Sequence, residues 1–317
     1  MEKIESSIKK DTRSGFGDGL LEAGKRNQNV FALTADVTGS VKMGAFKAEF
    51  PDRFIQVGIA EANMVGIAAG LALSGKVPFA STFAGFMTGR VYDQIRMAVA
   101  YSNLNVKICS SHAGLTVGED GATHQMMEDI GLMKMLPNMV VINPCDYNQT
   151  KMATIAAAEY NGPVYLRFGR PSVPVFTPED QPFVIGKAIT MNEGTDVTIF
   201  ATGHLVYPAV QAAYTLHEQG FSAEVIDIAT IKPLDEEAVL NSVRKTRCCV
   251  VAEEHLMNGG LGDSICQLLC RKLPTPVEMV AVNDKFGESG TPAELMTLYH
   301  LDEENITEAC KRVIVRK

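Results

Sequence analysis

Apolar, β-rich runs recur along the chain at Val30 to Thr34, Phe54 to Val57, Val77 to Ser81, Val106 to Ser110, Met139 to Asn143 and Val164 to Phe168. Most are separated by helical patterns such as YDQIRMAVAYS. Runs that are apolar throughout, without alternation, are buried on both faces. Interleaved with amphipathic helices, they predict a parallel sheet covered on both sides. Residues 1–175 therefore read as one doubly wound α/β domain. The rhythm breaks in RPSVPVFTPEDQPFVIG, Arg170 to Gly186, where Pro171, Pro174, Pro178 and Pro182 leave no period, and residues 176–186 read as a linker. Alternation then restarts in DVTIFATG, SAEVIDIAT, RCCVVAEE and PVEMVAV, with helices such as VYPAVQAAYTLHEQG, so residues 187–317 read as a second, smaller α/β domain.

A chain of 317 residues, 46% hydrophobic and 21% charged, is long enough for two ordinary cores. The net charge of −8 argues against a nucleic-acid partner, which would need a concentrated basic surface, and makes small molecules the expected ligands. Seven cysteines without a C-x-x-C pair fit a reduced, cytoplasmic protein, and Cys266 and Cys270 lack the second pair that zinc would need. The opening MEKIESSIKKDTRSG has no apolar leader. No window reaches the roughly 18 uncharged apolar residues of a membrane span, so no membrane partner is expected.

In open parallel sheets, ligands bind beyond the carboxyl ends of the strands. That rule collects Asp36, Glu61, Phe83 and Phe86, the stretch His112 to His124, and Arg170 at one edge. An acid in a first helical turn is favoured by the helix dipole alone. Glu61, however, opens EANMVGIAAGLALSG, so poor in polar groups that its carboxyl would be desolvated, a setting suited to general acid/base work. Phe83 and Phe86 could be core aromatics, but in TFAGF, just past a strand, they can leave ring faces open to a planar ligand. The loop VGEDGATHQ, Val117 to Gln125, is too polar for a core, and His112 and His124 flank its acids with donors for hydroxyls or phosphate. His124 and Glu128 have the spacing of a helical metal pair but no third ligand, so no metal is assigned to them. Arg13, in DTRSG, and Arg170 could each be ordinary surface arginines. The Gly17-Asp18-Gly19 triplet spells the start of a magnesium motif, yet it follows no strand and its asparagines come too soon.

Taken together, DRFIQVGIAEANM, FASTFAGFMTGRVYDQIRMA, SHAGLTVGEDGATHQ, PNMVVINPCD, IKPLD and EEHLMNGGLGD resemble the pyrimidine-binding and C-terminal domains of transketolase, in the family's order. The resemblance implies thiamine diphosphate as cofactor. Glu61 matches the glutamate that hydrogen-bonds the aminopyrimidine and promotes loss of the thiazolium proton, while the cofactor serves as electron sink as a ketose carbon–carbon bond breaks. Phe86 would stack on the pyrimidine, with Phe83 beside it and Asp36 near the thiazolium. His112 and His124 match histidines near the reacting hydroxyls. Asp120 matches the aspartate that reads a donor hydroxyl, and Arg13, Ser40, Arg170 and His112 match the sugar-phosphate cluster.

The chain departs from the family pattern in lacking a diphosphate-binding domain. The resemblance therefore implies a separate N-terminal transketolase subunit that supplies the ligands for Mg2+ or Ca2+, around a homodimer of this chain within a heterotetramer. Related expectations are a deoxyxylulose-phosphate-synthase-like subunit, the beta subunit of a 2-oxo acid dehydrogenase, and a catalytically silent scaffold. The acidic loop with its phosphate cluster favours the sugar-phosphate branch. Retention of Glu61 and both histidines counts against the scaffold.

Overall fold

The computed structural model describes Ile4 and Ser6–Lys317; Met1–Lys3 and Glu5, on which part of the reading of the N-terminal segment falls, lie outside the described residues. The first half runs β1 (Lys9–Asp11), α1 (Thr12–Arg26), β2 (Val30–Thr34), α2 (Gly44–Glu49), β3 (Phe54–Gln56), α3 (Glu61–Leu73), β4 (Val77–Phe83) and α4 (Tyr92–Gln94). It continues with β5 (Lys107–Ser111), α5 (Asp129–Met135), β6 (Val140–Ile142), α6 (Tyr147–Glu159), β7 (Val164–Arg167) and β8 (Ser172–Pro174). The second half comprises β9 (Ile189–Asn192), β10 (Val197–Ala201), α7 (Val206–Glu218), β11 (Ala223–Asp227), β12 (Thr230–Lys232), α8 (Glu236–Thr246), β13 (Cys249–Leu256), α9 (Leu261–Lys272), β14 (Val277–Val282), α10 (Pro292–Leu298) and α11 (Glu303–Ile314). The helical stretch around α4 is wound partly as π-turns, over Gly85–Gly89 and Ile95–Tyr101.

Two sheets form the layers. The larger has the order β12-β6-β7-β5-β4-β2-β3 and the smaller β14-β13-β10-β11-β9. Both are parallel apart from one antiparallel edge strand each, β12 against β6 and β9 against β11. The expected alternation is present in both halves, and the residues of β2, β4, β5 and β7 are almost all buried, the polar ones such as Lys107 and Arg167 included. Four strands, β1, β8, β9 and β12, fall outside the six runs of the first half and four of the second. β1 and β8 pair antiparallel, so the beginning of the proline stretch is a short ribbon that tolerates Pro174 at its end. β12 belongs by position to the second half but extends the first sheet. The stretch after β8 is also anchored, because buried Asp146 accepts from the backbone N–H groups of Phe176 and Thr177, both at 2.8 Å.

The Gly-Asp-Gly triplet lies inside α1 and serves packing. A Cβ at Gly17 would fall 2.5 Å from Lys42 O and one at Gly19 2.6 Å from Lys151 O; with Gly15 one turn earlier, where a Cβ would fall 2.3 Å from Tyr147 O, Gly19 lets α1 lie against α6. Asp18 accepts from the Tyr147 hydroxyl. Among the described residues no helix is long and apolar enough to cross a membrane.

Candidate active site

Glu61 begins α3 and is 5% exposed. Its carboxylate does not face the apolar helix; it takes a charged hydrogen bond from Arg90 Nη1 at 2.8 Å. The Arg90 guanidinium lies 4.2 Å from the Phe86 ring centroid. The π-turn after β4 places Arg90 there, four residues beyond Phe86, and nothing in the helical pattern marked it as the partner of an acid 29 residues earlier.

Phe83 and Phe86 pack with near-parallel rings, 5.6 Å apart at 21°, and each meets one of the two histidines. His112 stacks on Phe83 at 3.8 Å, and His124 meets Phe86 edge-on at 5.6 Å. Each phenylalanine remains partly exposed, as an open ring face requires. His112 follows β5 in a left-handed backbone conformation, φ 57°, which is uncommon for a side chain of this size and marks a residue held by its surroundings. Its Nδ1 is 2.8 Å from Ser111 Oγ. Burial, then the positive charges of Arg13 and Arg170, pushes His112 down to about 3, so the imidazole is neutral at any ordinary pH and can donate from one nitrogen only.

The cationic side of the site is built from separate segments. Arg13, in the first turn of α1, bonds Asp11 through Nε at 3.2 Å and the Ser40 carbonyl through Nη1 at 3.2 Å, bringing Arg13 and Ser40 together. Arg170, just beyond β7, donates to the Val117 carbonyl and pairs with Glu119 at 3.3 Å and Asp120 at 3.6 Å. Arg170 therefore holds the acidic loop, while its side chain remains 39% exposed. Asp36 stands at the end of β2 with φ 58°, exposed, its backbone N–H bonded to Gln56 Oε1 at 2.7 Å. It lies on the β3 side of the sheet, away from the histidines. His124 and Glu128 do not share a helix, since α5 starts at Asp129 and Glu128 bonds the Met127 N–H.

The loop is held from behind by residues that the sequence reading passed over. Glu254, at 2% exposure in β13, accepts from both the backbone N–H and the hydroxyl of Thr116 at 2.8 Å. Gln125 donates to the carbonyls of Leu115 and Glu288, both at 3.0 Å. The motif EEHLMNGG was noted only as a string, and its partners more than 100 residues away leave no local signal.

A buried carboxylate beside a partly open aromatic pair, next to a rim carrying Arg13 and Arg170 at the carboxyl edge of a parallel sheet, is the arrangement of an α/β ligand-binding site. Family patterns identify it more closely: "Transketolase, pyrimidine binding domain" matches residues 8–175 and "Transketolase, C-terminal domain" matches residues 186–306. The chain belongs to the transketolase family, whose members are transferases that use thiamine diphosphate. It is 46% identical to a protein of Methanocaldococcus jannaschii described as a transketolase C-terminal section, over 96% of each chain. It is 42% identical to a 6-deoxy-6-sulfo-D-fructose transketolase subunit of Clostridium sp. (strain MSTE9), over 99% of this chain and 97% of that one. A solved split gene transketolase, described as an inactive beta4 tetramer, superposes with a TM-score of 0.91 at 44% identity, covering 96% of this chain and 98% of that chain.

Proposed function

We propose that this chain is the C-terminal subunit of a split, thiamine-diphosphate-dependent transketolase that moves a two-carbon ketol unit between sugar phosphates. The observation that carries the reading is the Glu61–Arg90–Phe86 stack. The Arg90 guanidinium is planar, donates to the Glu61 carboxylate and lies over Phe86. An aminopyrimidine ring would need the same two contacts, a carboxyl for a ring nitrogen and an aromatic face, and half-exposed Arg90 can turn outward to yield them. Glu61, Phe86 and Phe83 would hold that end of the cofactor, with Asp36 toward the thiazolium. When bound, the cofactor supplies the electron sink for carbon–carbon cleavage.

The chain's own residues bind and orient the sugar. Glu61 holds and passes the proton at the pyrimidine nitrogen. Neutral His112, with His124, offers hydrogen bonds to substrate hydroxyls without introducing a fixed charge. Asp120 reads a donor hydroxyl, and Arg13, Ser40, His112 and Arg170 receive the phosphate dianion, for which the arginine fork is suited. The Mg2+ or Ca2+ ligands would come from an N-terminal partner subunit. This assignment is supported by the packing role of Gly15 and Gly19 in α1 and by the description of the solved relative as inactive in its beta4 form. The chain would form a homodimer core within a cytoplasmic heterotetramer; the exposed apolar side chains of Leu73, Met97 and Tyr101 support an apolar contact surface on this domain.

The test is reconstitution. The purified chain alone should show no ketol transfer. Addition of a subunit carrying the diphosphate and metal motif, with thiamine diphosphate and magnesium, should restore it. Turnover by the chain alone, with mass spectrometry showing no second protein, would refute the split-enzyme reading.

A further inference from the structure

We propose that Glu254, a residue of the second domain, is the positioning residue of the sugar site, fixing its two halves in one register. The proposal rests on the reading that the Gly114–Gln125 loop and Arg170 receive a sugar phosphate. Two arms leave Glu254. Its side-chain Oε1 takes both donors of Thr116, which opens the acidic loop. Its backbone carbonyl accepts from Arg167 Nη2 at 2.9 Å, three residues before Arg170 in the chain. Arg167 is itself locked through Nε to Asp129 Oδ2 at 2.7 Å, and Asp129 begins the helix that closes the loop. A third contact reaches the Arg170 turn through His204. His204 Nδ1 is 3.4 Å from Glu254 Oε2, and a Cβ at Gly169 would fall 2.2 Å from the His204 ring.

The glycines of the loop fit around this arrangement. Gly114 has φ 81°, and a Cβ there would fall 2.2 Å from Glu254 Oε1. Gly121, φ 72°, passes so close to Ser289 that a Cβ would meet its Oγ at 2.5 Å. The loop is thus tied at Thr116, Gln125 and Asp129, while Glu119 and Asp120, with side chains 62% and 49% exposed, reach the rim between the ties and pair there with Arg170. Burial works to raise the Glu254 carboxyl, but the hydrogen bond and charge of His204, with Arg167 and the Thr116 N–H, hold it below the usual range. It therefore remains an ionised acceptor, which makes each Thr116 bond charge-assisted.

The experiment uses the full chain assembled with its N-terminal partner, thiamine diphosphate and magnesium, with a phosphorylated ketose as donor. Glu254→Ala should raise KM for that donor about ten- to 100-fold, the loss of a charge-assisted bond that orders the loop, and leave kcat at saturating donor near wild type. Cofactor affinity and exchange of the thiazolium proton, which depend on Glu61, should not change. Glu254→Gln keeps a carbonyl oxygen for Thr116 and should recover most of the KM. In the chain alone, amide hydrogen exchange over residues 114–125 should quicken in Glu254→Ala. Should that variant not fold, Thr116→Val removes the hydroxyl arm alone and should give a smaller rise in the same direction, reversed in Thr116→Ser. A wild-type KM in Glu254→Ala overturns the proposal. So does a parallel fall of kcat, cofactor affinity and proton exchange with KM unmoved, which is the signature of general loosening. Arg170→Ala separates the two readings. If it leaves the donor KM unchanged, the sugar-phosphate reading fails and this proposal with it. If it raises KM while Glu254→Ala does not, only the positioning role is wrong.

Discussion

The two sheets carry polar side chains at equivalent places, the carboxyl ends of their parallel strands, and use them in opposite ways. In the first, Glu61 and His112, at 5% and 4% exposure, stand past strand ends beside the partly exposed Phe83 and Phe86, and Arg170 is 39% exposed beside Asp120 at 49%. In the second, Glu253, Glu254 and His255 end β13 at 1%, 2% and 0% exposure, and their hydrogen bonds are spent inside the protein. Glu253 caps α9 through the Leu261 and Gly262 N–H groups at 2.7 and 2.8 Å, Glu254 holds Thr116, and His255 Nε2 accepts from Gly131 N at 3.3 Å. A strand end thus provides polarity at a fixed place. Whether that polarity does chemistry depends on what covers it: the first domain's edge is left for a ligand, and the second domain's edge is covered by the first domain.

The comparison predicts that substitutions at the first edge act on turnover, and that those at the covered edge act on stability unless, as at Glu254, the side chain reaches the sugar loop through Thr116. The largest expected effect is Glu61→Gln, which keeps the size of the carboxyl and loses its proton. General acid/base steps contribute about 10²- to 10⁴-fold, and activation of the cofactor precedes all later chemistry, so a loss near the upper end is expected with the melting temperature nearly unchanged. Thiazolium proton exchange in deuterated water, in the assembled complex saturated with cofactor, isolates the step. A rate equal to wild type would remove Glu61 from its role.

Next comes the ion pair beneath the covered edge: Asp129 and Arg167 both belong to the first domain, and Arg167 Nη2 donates to the Glu254 carbonyl. Asp129→Ala leaves the Arg167 guanidinium, 4% exposed, without its carboxylate, and removing one partner of a buried ion pair costs about 3–5 kcal/mol. Urea unfolding of the chain should show that loss. A shift under about 1 kcal/mol would mean that the pair is relieved by water and that this edge is not closed.

Arg170→Ala ranks third. It should raise KM for a phosphorylated donor about ten- to 150-fold and affect an unphosphorylated one such as hydroxypyruvate far less, since a charged hydrogen bond is worth about 1.5–3 kcal/mol. Equal losses for both donors would detach Arg170 from phosphate.

The smallest effect sharpens the comparison through pH. Asp227, at the end of β11 and fully buried, is raised to about 7 by burial, against the hydrogen bond from Gln149. The unfolded chain gives up this proton near the ordinary carboxyl value and the folded chain only near 7, so stability is greatest in acid and falls as pH climbs between those values. Asp227→Asn removes this slope. It should raise the melting temperature at pH 8 by about 2 °C or more and change it less at pH 5. An equal change at both pH values would show that Asp227 is not the group responsible.

Much of this was legible in the sequence, and the limits have physical causes. Val30–Thr34 is a strand over the residues of its apolar run, and α3 begins at Glu61 as read, because buried strands and a helix's first turn are written in neighbouring residues. That Phe83 and Phe86 share one edge with His112 and His124 followed from strand-end logic, whereas the ring contacts between them did not. Arg90 was missed because a π-turn aims it at Glu61 where α-helical spacing would not. Glu254 was missed because its partner Thr116 is 138 residues away in the chain. The Ser172–Pro174 strand was hidden by prolines that an edge ribbon tolerates.

β12 has a consequence for synthesis. Thr230 and Lys232 complete the first sheet by pairing with Ile142 and Val141. On the ribosome, every other strand of that sheet is made before the second domain has begun, yet the β6 edge stays uncovered until nearly 90 further residues have emerged. Contacts this distant form slowly, because a long loop must close before they can hold. The nascent chain therefore carries an open strand edge through much of its translation, and cutting the gene at the proline stretch would make that transient edge permanent, inviting a second chain to pair there.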